Sequence, residues 1–242
     1  MDNFERLFGE TREIKRSSHS LESLSKQFED LMTTDWYKLM KQGARFSELG
    51  DYQNALNCLN SAIQQKPKHH HLLQVRAKIK ENLGNFAGAI QDYKESLIVS
   101  GSDWYSIYNQ IAINFLYQQN FEKAIMSFDI AIELKKGLIS AGIIEESILD
   151  SSTVDGAVKY VPFEKMYINR ANAKMSLENY QGSFDDCRSA IEANPEYSNS
   201  YYVLGLLYIN INQEEKALEA FNKAHNLGHS KAKLAIQQFL SN

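Results

Sequence analysis

Residues 43–62 read GARFSELGDYQNALNCLNSA, and Pro67 follows. Gly50-Asp51-Tyr52 has the form of a helix stop, a turn residue and a restart. Gly43 lies on the helix before it, and Ala55 and Ala62 lie on the helix after it. Small residues at a helix crossing let two backbones approach closely. Ala55 and Ala62 are seven positions apart, so they share one helix face. Pro67 cannot continue a helix and ends the unit. The stretch therefore reads as a helical hairpin.

The same unit recurs along the chain. Gly43 is answered by Ala77, Ala112, Ala171 and Gly205, in steps of 34, 35, 59 and 34 residues. Ala55 is answered by Ala89, Ala124, Ser183 and Ala217, and Ala62 by Ser96, Ala131, Ala190 and Ala224, with the same steps. Three small-residue markers that keep one spacing define a helix-turn-helix solenoid.

These units resemble tetratricopeptide repeats. The turn triplets are Gly50-Asp51-Tyr52, Gly84-Asn85-Phe86, Gln119-Asn120-Phe121, Glu178-Asn179-Tyr180 and Asn212-Gln213-Glu214. The first four carry an aromatic where the family has one, and Glu214 departs from it. Pro67 and Pro195 match the family's terminal proline; Gly101, Lys136 and His229 stand there in the other units. The resemblance covers about 36–138 (repeats one to three) and 164–231 (repeats four and five). It implies an all-α, right-handed superhelical solenoid. It also implies a non-catalytic protein-interaction scaffold, because such repeats bind proteins and peptides.

Composition narrows the function classes. The chain has 242 residues and a net charge of −4, a mild acidic excess and not the basic footprint of a nucleic-acid binder. A hydrophobic content of 43% supports a packed core. Cys58 and Cys187 both fall on second helices, as small thiols beside the inward face, which fits a reducing, cytoplasmic setting. Met1 to Arg6 has no apolar run, so no secretory signal is expected at the start. No stretch reaches the roughly 18 apolar residues of a membrane span. No phosphate loop, Gly-x-Ser-x-Gly or zinc spacing occurs, so neither enzyme nor cofactor nor metal site is expected. His69-His70-His71 is read as a solvated turn, since adjacent helical residues do not converge on one ion. The carboxylates, including Asp185-Asp186, are read as solvent-facing charge.

Three segments lie outside the repeats. Residues 1–35 carry a loose stripe (Phe4, Leu7, Phe8, Ile14) and a cleaner amphipathic one (Leu21, Leu24, Phe28, Leu31), and read as an N-terminal helical extension or cap. Residues 139–163 are an insertion that begins as an added helix or as an extension of repeat three. Residues 230–242 read as a C-terminal capping helix, with Ser230 as its N-cap.

The resemblance places the first helix of each repeat on the concave surface. The residues it puts there include Lys78, Asn109, Tyr117, Lys165, Asn169, Asn172, Asn199 and Tyr202, with Ile113, Leu116, Leu206 and Ile209 between them. Asparagine offers a donor and an acceptor to an extended backbone, and tyrosine offers contact area with a polar tip. These eight residues are the expected peptide-binding groove. Tyr167 to Ala171 resembles the middle repeat of the family's chaperone-tail carboxylate clamp. The neighbouring clamp positions hold Asn109, Ile113, Asn199 and Val203, so the chain is not expected to be a clamp member. The alternative reading is an assembly subunit that forms a homo-oligomer or joins a complex through its ends or convex face, its groove filled by its own segments.

Overall fold

The computed structural model describes residues 34–100, 104–143 and 161–240. Among them are eleven α-helices. These are α1 (Asp35–Glu48), α2 (Tyr52–Gln65), α3 (His70–Asn82), α4 (Phe86–Ser100), α5 (Tyr105–Tyr117), α6 (Phe121–Ser140), α7 (Phe163–Ser176), α8 (Tyr180–Ala193), α9 (Ser198–Asn210), α10 (Glu214–Asn226) and α11 (Ala232–Leu240). The chain divides into two compact units, Met1–Lys68 and His69–Asn242.

In the first unit α1 and α2 form one hairpin. A methyl group on Gly43 would lie 3.2 Å from the Ala55 carbonyl oxygen, which is why the crossing takes a glycine.

The second unit stacks four hairpins, α3/α4, α5/α6, α7/α8 and α9/α10. Each second helix packs on the first helix of the next hairpin, and α10 packs on α11. The first helices α5, α7 and α9 also touch in order. The marker residues explain this packing, because every one of them in this unit is buried. At Gly205 a Cβ would come within 2.5 Å of the Phe221 ring.

The turns are built alike. Gly50, Gly84, Gln119, Glu178 and Asn212 all have positive φ. The next residue then bonds back across the helix end, as in Asn120 N–H to Phe115 O and Asn179 N–H to Lys174 O, both 2.9 Å. Asp51, Asn85, Asn120 and Asn179 then cap the second helix by accepting from a backbone N–H three residues on. Gln213, in the divergent fifth triplet, makes no such cap.

Helix α6 runs 20 residues, so the start of the insertion is an extension of the third hairpin. The chain re-enters at Val161, whose carbonyl accepts from Lys135 Nζ at 2.7 Å. Lys135 is fully buried, with its ammonium 4.2 Å from the centroid of the Phe163 ring. Ser230 lies in the turn before α11, which starts at Ala232, so it is not the cap expected of it. The stripes read in residues 1–33, and Ile144, Ile148 and Leu149 of the insertion, lie outside the described residues.

Candidate functional site

The first-helix face of the second unit carries the expected groove residues, and the structure sorts them. Lys165, Asn169 and Asn172 form one stripe of α7, and Asn199 and Tyr202 continue into Leu206 and Ile209 on α9. These two helices pack against each other, and Asn210 Nδ2 on α9 reaches Met175 Sδ on α7 at 3.7 Å. Asn169 and Asn172 are half-buried, and neither side-chain amide is engaged among the described residues. Tyr202 is half-buried and stacks on His229, with centroids 4.1 Å apart. Burial, and then the nearby Lys231 charge, depress the His229 pKa. Asn199 hydrogen-bonds Tyr197, whose own pKa is raised chiefly by burial.

The other three residues stand apart from this pair of stripes. Asn109 is only 2% exposed, so its side chain is closed to a ligand lying on the open face. Tyr117 is exposed and stacks on Phe86 with centroids 4.8 Å apart, at the turn that opens α4. Lys78 is exposed and bonds Glu81 at 2.7 Å. Glu81 also accepts from Asn114 of the next hairpin, which joins α3 to α5. Elsewhere on the first helices, Tyr37, Met40, Gln74, Ser106, Ile168 and Val203 are buried and serve the core.

Two charge clusters were missed in the sequence. Asp92 and Asp186 are 1% and 2% exposed, which corrects the reading of Asp186 as solvated charge. Arg76 Nε and Nη2 bond Asp92 at 2.9 and 2.8 Å, and Lys80 Nζ reaches it at 2.8 Å. Arg170 grips Asp186 in the same bidentate way, and Lys174 Nζ reaches it at 2.9 Å. Arg170 also bonds Asp129 on α6 of the preceding hairpin. Burial works against the Arg170 charge, yet its bonds to Asp186 and Asp129 prevail and raise its pKa. The neighbouring Cys187 thiol is pushed up to about 12 by burial and by the Asp186 charge. Asp185 escapes all this because it is rotated by about 100° from Asp186 on the helix. The signal was present as an Arg-x3-Lys-x11-Asp spacing, used once at 76-80-92 and again at 170-174-186.

Comparison with known proteins agrees with this architecture. Models of the tetratricopeptide repeat match residues 40–106 and 187–219. The "DnaJ homolog subfamily C member 7 homolog" of Dictyostelium discoideum is 21% identical over 230 residues, which is 94% of this chain and 41% of that protein. This chain thus spans less than half the length of that relative. MamA from Desulfovibrio magneticus RS-1 superposes with a TM-score of 0.63 at 14% identity, covering 83% of this chain and 98% of that one. YrrB, described as "a TPR protein with an unusual peptide-binding site", gives a TM-score of 0.60 at 13% identity, covering 88% of this chain and 97% of that one. Among the described residues no helix is long and apolar enough to cross a membrane. The matched repeat models, the buried markers and the repeated turns make this a tetratricopeptide repeat protein, and the superposed structures share its fold.

Proposed function

We propose that this protein is a non-catalytic interaction scaffold that holds an extended segment of a protein partner along the first-helix face of its second unit, used as a concave groove. The observation that carries this reading is the α7–α9 pair. Two unengaged side-chain amides, Asn169 and Asn172, lie beside half-exposed Tyr202 and Leu206 and exposed Ile209. Amides of this kind pair with a peptide backbone whatever its sequence, and the apolar residues beside them gain by being covered. Exposed Lys165 at the end of the stripe favours an acidic residue there. The peptide-binding site named for YrrB, a protein of the same fold, is a precedent. A cytoplasmic setting fits the two free thiols, Cys58 and Cys187.

The test is an affinity capture from native lysate with the whole chain and with the Asn169→Ala/Asn172→Ala double variant. A partner held by the first and lost by the second, at unchanged thermal midpoint, supports the groove. A partner held equally by both moves binding to another face. A homo-oligomer in light scattering, with no captured partner, favours the assembly-subunit reading instead.

A further inference from the structure

The sequence positions of the two charge clusters have a third occurrence, in the hairpin between them. There Arg76, Lys80 and Asp92 are replaced by Ile111, Phe115 and Ser127. The Asp129 that bridges to Arg170 corresponds to Lys94 one repeat earlier, and Gly88 and Gly182 correspond to Lys123. Where the flanking repeats close with ion pairs, this one leaves an apolar cleft of about 760 Å³. Its walls are α4 and α6, and Tyr108, Ile111 and Phe115 of α5 lie between them.

Among the described residues the cleft is uncovered. Ile98 is 81% exposed on one wall, and Met126 and Ile130 are 63% and 43% exposed on the other. Met126 and Ile130 continue into Leu134 and Leu138, an apolar row at every fourth residue that runs about 18 Å along α6. A row of this kind beside a second helix is the surface into which the ridges of a third helix pack. The charges fix the sign of the partner. Among the described lining residues two are lysines and none is acidic. Lys94 and Lys123 each lie over Phe115, at 6.0 and 5.7 Å from the ring centroid, and neither has a carboxylate partner among the described residues. Nearby Asp129 and Glu133 are already taken, by Arg170 and Lys136.

We propose that the cleft between α4 and α6 is a second docking site, distinct from the first-helix groove, for an acidic amphipathic helix of a partner protein. Apolar side chains of that helix enter between Ile98 and Ile130, and its carboxylates meet Lys94 and Lys123. Both lysines are exposed, so their substitution leaves the core intact.

The probe is a fluorescein-labelled model helix with leucine at every fourth position and glutamate beside each leucine. A second probe has lysine in place of glutamate. Anisotropy with the full chain is expected to show saturable binding of the acidic helix only. Lys94→Glu/Lys123→Glu is expected to weaken it by about tenfold or more and to switch preference to the lysine helix. Ile130→Gln, checked for folding by circular dichroism, is expected to weaken both pairings. The proposal is overturned if neither probe binds, or if charge reversal leaves the preference unchanged. It is also overturned if neutralising Glu145, Glu146 and Asp150 raises probe affinity, because the chain's own 144–160 segment is then the occupant. A wild-type dimer that charge reversal dissociates overturns it too, in favour of a second copy.

Discussion

The seam between the third and fourth hairpins and the seam between the second and third occupy the same positions of the repeat, with opposite chemistry. In the first, Asp129, Arg170, Asp186 and Lys174 form a continuous ion network across α6, α7 and α8. In the second, the corresponding Lys94, Ile111, Ser127 and Phe115 form an apolar cleft edged by the Lys94 and Lys123 ammonium groups. The small-residue markers are buried in both. The backbone register therefore comes from the markers, and the seam chemistry is free to differ. A buried ion cluster adds little net stability, because desolvation offsets most of the attraction. What differs between the seams is what each leaves for a partner: among the described residues the charged one is satisfied, and the apolar one is not.

The largest effect is expected from breaking the charged seam at its centre. Asp186→Asn leaves Arg170 and Lys174 without their shared buried carboxylate, and should lower stability by about 3 kcal/mol in urea unfolding. Asp129→Asn removes only the half-exposed outer partner and should lower it by less than about 1 kcal/mol. Equal losses would mean that the seam acts as one network and not as a buried pair with an outer link.

A smaller change is expected when the charged seam is rewritten as its apolar counterpart. In Arg170→Ile/Lys174→Phe/Asp186→Ser all three charges go together, and no buried charge is left alone. Replacing a buried ion cluster by packed apolar groups is often neutral or stabilising. The triple variant should therefore unfold within about 1 kcal/mol of the wild type, above Asp186→Asn alone. It should also gain affinity for the lysine model helix, because Asp129 then edges the new cleft without its Arg170 partner. A triple variant less stable than the single one would show that the two seams are not interchangeable.

Much of the fold was legible because it depends on single positions at a fixed period. Gly43, Ala77, Ala112, Ala171 and Gly205 mark the crossings whatever surrounds them. The turn triplets fared as well, since Asp51, Asn85, Asn120 and Asn179 cap through purely local bonds. The site was less legible. Asn109 and Asn169 are the same residue type but lie one position apart in the repeat: Asn109 matches buried Ile168, and half-buried Asn169 matches half-buried Gln110. One step turns a side chain by about 100° around the helix, and here it turns Asn109 into the core. Asp186 was misread for a different reason: its partners Arg170 and Lys174 are far in sequence and close only across a hairpin. The cleft beside Ile111 needed the comparison of three repeats, because nothing within one of them marks a missing charge.

The smallest effect tests whether the seams differ only in their side chains. Gln119 and Glu178 have φ of 56° and 58°, one in the turn of each hairpin that follows a compared seam. A left-handed backbone is strained for any residue with a Cβ, and glycine relieves that strain while giving the unfolded chain more freedom. Gln119→Gly and Glu178→Gly should each stabilise by about 0.5–1 kcal/mol, and by the same amount. Gly84→Ala, at φ 73° in the turn of the second hairpin, should lose about as much. Equal gains locate the contrast in Lys94, Ile111, Phe115 and Ser127 against Asp129, Arg170, Lys174 and Asp186. A gain at only one turn would instead show that the hairpins differ in backbone strain, and that the apolar cleft is partly a consequence of how the third hairpin is set.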